Sequence, residues 1–283
     1  MEKADQPQSD ASAGFQITKD LLKPWSPCSS GYKWFLEKFP QGGGYAEVNS
    51  ALRAEKRYDD SSWLTNHVFA SLLEHPKQIA GLVDSEVKQT IDETKGSPES
   101  SSGDSSKAAS SGDSSTAASS GNYSTAASSG NYSTAASSGY YSKAASSGNY
   151  SMAASSGDYS MAASSGDYSM AASSGDSSKA ASSGYYSKAA SSGNYSTAAS
   201  SGDSSKAASS GDSSKAEAKG AMTVAMVAGI NGRARAGNQG AFALAWKDGE
   251  QMRIAVGIVG DGGIKADTWY RISDTGQLVE AAE

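Results

Sequence analysis

From Gly103 to about Ala216 a glycine returns at every ninth residue, and each unit reads G-[D/N/Y]-[S/Y]-S-[K/T/M]-A-A-S-S. A strict short period marks a stack of repeats, each too small to bury a face alone. Nine residues hold one strand of five or six plus a tight turn, with Ser-Ser-Gly expected at the corner, so each unit is one side of a coil. Side chains alternate along a strand, which sets positions four and six (Ser106 and Ala108 in the first unit) on one face and three, five and seven (Ser105, Lys107, Ala109) on the other. Position five carries Lys, Thr or Met and therefore faces out, leaving only serine and alanine inside. Such small residues fill only a narrow gap between two closely apposed sheets, which predicts two units, eighteen residues, per coil.

A Ser/Ala/Gly-rich linker is the competing reading of this composition. Against it stand the phase and the confinement of eight tyrosines to position three: Tyr123, Tyr132, Tyr141, Tyr150, Tyr159, Tyr168, Tyr186 and Tyr195. A spacer has no reason to keep register. Main-chain pairing between coils and buried serine hydroxyls would hold the thin interior together. The phase persists through Gly220 and Gly229, with Ala225 and Ala234 at position six, adding two strands up to about Gly237. About fifteen strands make about seven coils, roughly 35 Å at ~4.8 Å per coil.

Residues 1–25 are polar and mixed in charge and contain no signal-like or membrane-spanning apolar run, so a flexible segment and a cytoplasmic location are expected. Residues 26–98 read as a helical module. Tyr32, Trp34, Phe35 and Phe39 form an aromatic side, Gly42 to Gly44 a turn, and Tyr45 to Arg57 a second helix. A third helix, capped by Ser61 or Ser62, carries Trp63, Leu64, Val68, Phe69, Leu72 and Leu73, and a fourth is expected from Asp84 to Lys95. Cys28, a lone cysteine, reads as a half-buried structural residue. Residues 99–237 are the solenoid. Residues 238–283 contain four strands, at about 241–246, 252–259, 268–272 and 277–280, separated by Asp-Gly and Gly-Gly turns. A small antiparallel sheet here would cap the last coil's open edge. The fold class is therefore mainly β: a parallel β-solenoid with an N-terminal α-helical module and a C-terminal antiparallel β cap.

Acidic and basic residues number fifteen and eleven before residue 100, seven and six in the repeats, and eight and seven after them, for a net charge of -6. This is neither the dense acid of a DNA mimic nor the basic stripe of a DNA binder, so nucleic acid is not the expected partner. His67 and His75 have no accompanying Cys or His, so no metal or other cofactor is expected. No nucleophile, base or carboxylate pair is placed by a motif, which points away from an enzyme.

The period and two-per-coil build resemble the calcium-binding toxin β-roll, but its G-G-x-G-x-D ligand turn is missing: Asp104 becomes Asn122, Asn131 or Tyr140 in later units. Ser124-Thr125-Ala126 and Ser129-Gly130 resemble trimeric adhesin heads, without a coiled-coil stalk or anchor. In order along the whole chain, the Ser/Ala/Gly nonapeptides resemble the repeat proteins of phages and prophages, which have a similar N-terminal segment (Gly31 to Pro40) and closing segment (Ile264 to Tyr270). That resemblance implies a phage or prophage origin and expression inside a host cell.

Coils of eighteen residues stack units two apart. One face should then carry Tyr132, Tyr150, Tyr168 and Tyr186 with Met152 and Met170, and the other Tyr123, Tyr141 and Tyr159 with Met161. Toward both ends the same places revert to Ser and Lys, an apolar centre with a polar rim. The expected function is a non-enzymatic binding protein acting on a host protein, for instance by inhibiting a defence component. A virion or adhesin part with the solenoid as spacer is the alternative, and in it the tyrosines stiffen the sheet. Alanine at every seventh place gives a smooth outer stripe on which a second copy is expected to lie, making a homodimer or higher oligomer.

Overall fold

A computed structural model describes residues 15–73 and 100–282, and the expected helix from Asp84 to Lys95 lies outside them. The chain divides into two compact units at Val68.

In the first unit, β1 (Gln16–Ile17) pairs antiparallel with β2 (Gly43–Gly44), so the triple glycine is a turn that ends in a short strand. Gly43 suits this crossing because an added Cβ would stand 2.8 Å from the Phe39 ring. Helices α1 (Lys19–Leu22), α2 (Ser29–Lys38), α3 (Tyr45–Ala54) and α4 (Tyr58–Leu73) follow, with a 3-10 turn at Lys23–Trp25. Ile17, Leu22, Phe35, Val48, Leu52, Leu64 and Val68 form the core. Inside it runs a polar chain that hydrophobic periodicity does not reveal. Ser61 Oγ donates to Asn49 Oδ1 at 2.6 Å, Asn49 Nδ2 to Tyr45 Oη at 3.0 Å, and Tyr45 Oη to Thr65 Oγ1 at 2.8 Å. Ser61 is therefore not the cap of α4; it lies one turn inside the helix, where a buried hydroxyl needs a partner. Cys28 is exposed rather than half-buried. It caps α2, its Sγ accepting the Gly31 N–H at 3.2 Å.

The second unit is a parallel β-solenoid of sixteen strands, β3 (Ser100–Ser102) to β18 (Arg233–Ala236), two per coil and eight coils in all. Strands eighteen residues apart pair in register: Met161 lies between Lys143 and Lys179, and Met152 opposite Met170. Within the solenoid the eight odd-numbered strands build one sheet and the eight even-numbered strands the other, and each sheet reaches ten strands through the C-terminal strands described below. Alanines at position six, from Ala108 to Ala234, are buried between the sheets, flanked as far as Ala207 by serines at positions four and eight. These hydroxyls bond along the stack, as Ser182 to Ser200 at 3.2 Å, and across it, as Ser187 with Ser200 at 3.1 Å.

The strand covers positions five to nine, and the corner is Gly plus the two residues after it, so Ser-Ser belongs to the strand rather than to the turn. Gly166 illustrates why only glycine opens the corner. Its φ is +112°, and an added Cβ would meet the carbonyl oxygen of Gly148, one coil away, at 2.5 Å.

The C-terminal strands do not form a separate sheet. The hairpin β19 (Ala241–Asp248) and β20 (Gln251–Ile258) extends the odd sheet through β17 (Val224–Val227), while β21 (Tyr270–Ile272) and β22 (Leu278–Glu280) extend the even sheet through β18. The interior widens here. Phe242 and Tyr270 take the place of alanine and Val227 and Leu244 that of serine, with Phe242 stacked on Tyr270 at 5.1 Å.

On the outward side of the even sheet, two alanines of position seven become Glu217 and Arg235, cross-strand partners 2.8 Å apart and 1% and 3% exposed. Lys219 reaches Glu217 at 2.9 Å, and the Arg235 guanidinium lies 4.5 Å from the Trp269 ring centre. Burial pushes the Glu217 carboxyl upward against the pull of Arg235 and Lys219. The cluster holds the closing segment to the last coils. Among the described residues no helix is long and apolar enough to cross a membrane.

Ala162→Leu should overpack the fully buried interior and cost roughly 1–3 kcal/mol, whereas Leu at the exposed Thr116 should leave the chemical-denaturation midpoint nearly unchanged. Equal effects at the two sites would reverse the assignment of inside and outside. Glu217→Ala should cost about 3–5 kcal/mol by stranding Arg235, and Arg235→Ala added to it should recover much of that loss. A double variant no more stable than Glu217→Ala would show that the pair is uncoupled.

Candidate binding surface

The corners are where chemistry varies from unit to unit, and two side-chain ladders run along them. At position two, an Asp or Asn oxygen accepts the position-two N–H of the next coil. Examples are Asp104 with Asn122 at 3.1 Å, Asn131 with Asn149 at 3.1 Å and Asn149 with Asp167 at 2.9 Å. Asp and Asn interchange there because the bond needs only a γ-oxygen acceptor. The variation at position two therefore hides a constraint. The signal was that nearly every substitute keeps that oxygen.

Position three adopts the left-handed conformation, with φ of 56–58° at Tyr132, Tyr150, Tyr168, Tyr141 and Tyr159 among others. A non-glycine residue pays roughly 1–2 kcal/mol for this geometry. The tyrosines offset part of that by stacking at the coil spacing. Tyr132, Tyr150, Tyr168 and Tyr186 form a row with ring centres 5.1, 4.9 and 5.3 Å apart and planes within 13°. They precede the odd strands and are 42–61% exposed. On the same sheet, Met152 of β9 (Met152–Ser156) and Met170 of β11 (Met170–Ser174) sit opposite each other, 42% and 39% exposed. The six residues expected on the first face are thus brought to one side of the molecule, the tyrosines along its corner and the methionines within its strands.

The second row differs. Tyr123, Tyr141 and Tyr159 stack at 5.6 and 5.0 Å, but Met161 of β10 (Met161–Ser165) is 5% exposed and lines no open surface. Alternation correctly sends Met161 outward, yet outward is not the same as exposed: Thr125, Ala127, Ala163, Ala181 and Ala199 on the even sheet are buried too. Tyr140 and Tyr185 at position two meet their neighbours edge-on, Tyr140 at 4.5 Å from Tyr141 and Tyr185 at 4.3 Å from Tyr186. The Gly-Tyr-Tyr doublets were the sequence signal for these missed members. Burial first, and then the hydrogen bond with Tyr140, push the Tyr141 phenol up to about 12.

On the odd sheet the alanines of position seven form a recessed stripe. Ala118, Ala136, Ala154, Ala172, Ala190 and Ala208 floor a trough of about 1110 Å³ that runs from Ser100 to Ala228, with the position-nine serines along it. Among the described residues no group of three or more His, Cys, Asp or Glu is placed to hold a metal ion.

Residues 9–73 match a family model described as the YdhT N-terminal domain, a span that includes the whole described part of the first unit. No curated protein and no solved structure matches the chain.

If the position-two ladder holds the corners that present the tyrosines, Asn149→Ala should cost about 0.5–1.5 kcal/mol by orphaning the Asp167 N–H, while Asn149→Asp should be nearly neutral. Thermal melts of the two variants check this. Equal losses would remove the acceptor as the cause.

Proposed function

We propose that this chain is a non-enzymatic binding protein in which the β-solenoid is a platform and the row Tyr132, Tyr150, Tyr168 and Tyr186, with Met152 and Met170, engages a protein partner. The observation that carries the reading is the arrangement of that row: four aligned rings, about half exposed, next to exposed methionines and giving way to Ser and Lys toward the ends. Tyrosine offers a large amphipathic contact area at little cost in conformational entropy, and Tyr and Met are enriched at contact centres. A host protein, with inhibition of a defence component as the outcome, is the partner class that fits the likeness to phage and prophage nonapeptide-repeat proteins. Phage origin and action inside the host cell belong to the same proposal. A virion or fibre-like component, with the solenoid as spacer, is favoured by a different observation, the uninterrupted register of eight coils. In that reading the ring stack stiffens the corner, each pair contributing roughly 0.5–1 kcal/mol.

The double substitution Tyr150→Ser with Tyr168→Ser uses a residue already present at position three and should leave the melting temperature within a few degrees while partner capture from host lysate is lost. A large fall in melting temperature with capture retained would assign the ladder to stiffness alone. Recovery of the chain only within purified particles would favour the spacer.

A further inference from the structure

Apart from the tyrosine row, the odd sheet carries a second apolar surface at its C-terminal end. We propose that this surface, formed by β17, β19 and β20, is the contact between two copies of this chain. Strand register places Val224 and Met226 beside Ala241 and Ala243, and these beside Ile258 and Val256, with Ala245 opposite Ile254 and Lys247 opposite Met252. Val224 and Met226 are 43% and 40% exposed, and Met252, Ile254, Val256 and Ile258 are 51–63% exposed. A run of four such residues on alternate positions of one strand is what a buried strand looks like, yet here it faces outward.

The relief is self-complementary. Large side chains on β17 and β20 make two ridges, and the alanines of β19 make the valley between them, each about one strand spacing, ~4.8 Å, from the next. Two copies facing each other about a twofold axis can seat the β20 ridge of each in the β19 valley of the other. Such an isologous contact uses the same patch twice. Its borders are polar, Lys206 lying beside Val224 on the preceding odd strand and Lys247 opposite Met252, so an apolar centre has a charged rim.

The six large residues and the alanine valley expose on the order of 600 Å² per copy, the lower end of the ~600–1,000 Å² per partner of a stable interface. β20 is the last strand of its sheet, eight residues long and without proline, and Arg253, the charge within it, lies on the opposite face, bound to Asp248 at 2.6 Å. A lipid surface is a poorer occupant, since two lysines are little attraction for anionic headgroups.

Light scattering and sedimentation of the full chain over a wide concentration range should show a species of twice 28.8 kDa. Ile254→Thr with Val256→Thr keeps β-branched shape at exposed sites and should raise the dimer dissociation constant at least ~30-fold without lowering the melting temperature. Ala154→Lys with Ala172→Lys, in the trough outside the patch, should leave the dimer intact. Should the threonine pair fail to fold, Val224→Ser with Met226→Ser on the other ridge must dissociate the dimer. The proposal is overturned by a wild-type chain that stays monomeric throughout, by capture of that monomer on phosphatidylcholine vesicles, or by a dimer that survives the ridge substitutions and is lost on the trough ones.

Discussion

Everything in the second unit depends on how closely one coil can lie on the next. The corner glycines stack so that each backbone carbonyl occupies the space where the next coil's Cβ would be, and the strands then pair in register along the whole stack. The two sheets lie close as well, and in all but the last coils the gap between them holds only serine and alanine. The close stacking of coils is why so little apolar area is needed. Main-chain hydrogen bonds between coils, buried serine hydroxyls and the position-two oxygens replace the large hydrophobic core of an ordinary domain.

A stack of this kind has two liabilities, its ends and its outer faces, and the chain treats them differently. At the C-terminal end the alanine interior gives way to Phe242, Leu244 and Tyr270, and each sheet is finished by strands that run back antiparallel. The Glu217 and Arg235 pair under Trp269 is a costly element in such a place, because desolvated charges need partners, here each other, Lys219 and the Trp269 ring. It occurs where the closing segment has to be held in one register, and alanine at those positions would leave Trp269 without its guanidinium partner.

The outer faces carry variation without disturbing the stack, since positions two, three and five face away from the interior. Tyrosine at position three is an added constraint on an already strained backbone, and its ring contacts along the coil axis give it a structural as well as a surface role. The same rings can therefore stiffen a corner and offer a contact surface, and the two roles separate only when stability and association are measured on the same variant.

The period of nine, the small residues at four and six and the outward class at five determined the solenoid, its two strands per coil and the stacking of units two apart, because these follow from alternation and side-chain volume alone. The continuation past Ala216 was legible for the same reason. Four features were decided only by tertiary structure. The corner falls at Gly and the two residues after it, because a carbonyl from another coil excludes a Cβ there. Met161 is buried whereas Met152 and Met170 are open, although all three sit at position five, because exposure depends on which sheet carries the residue. Ser61 joins a buried polar chain with Asn49, Tyr45 and Thr65 from two helices, which no spacing along one helix reveals. The C-terminal strands, visible as strands with turns, extend the two existing sheets because free backbone groups at the last coil are satisfied by pairing, and this leaves Ile254, Val256 and Ile258 facing outward.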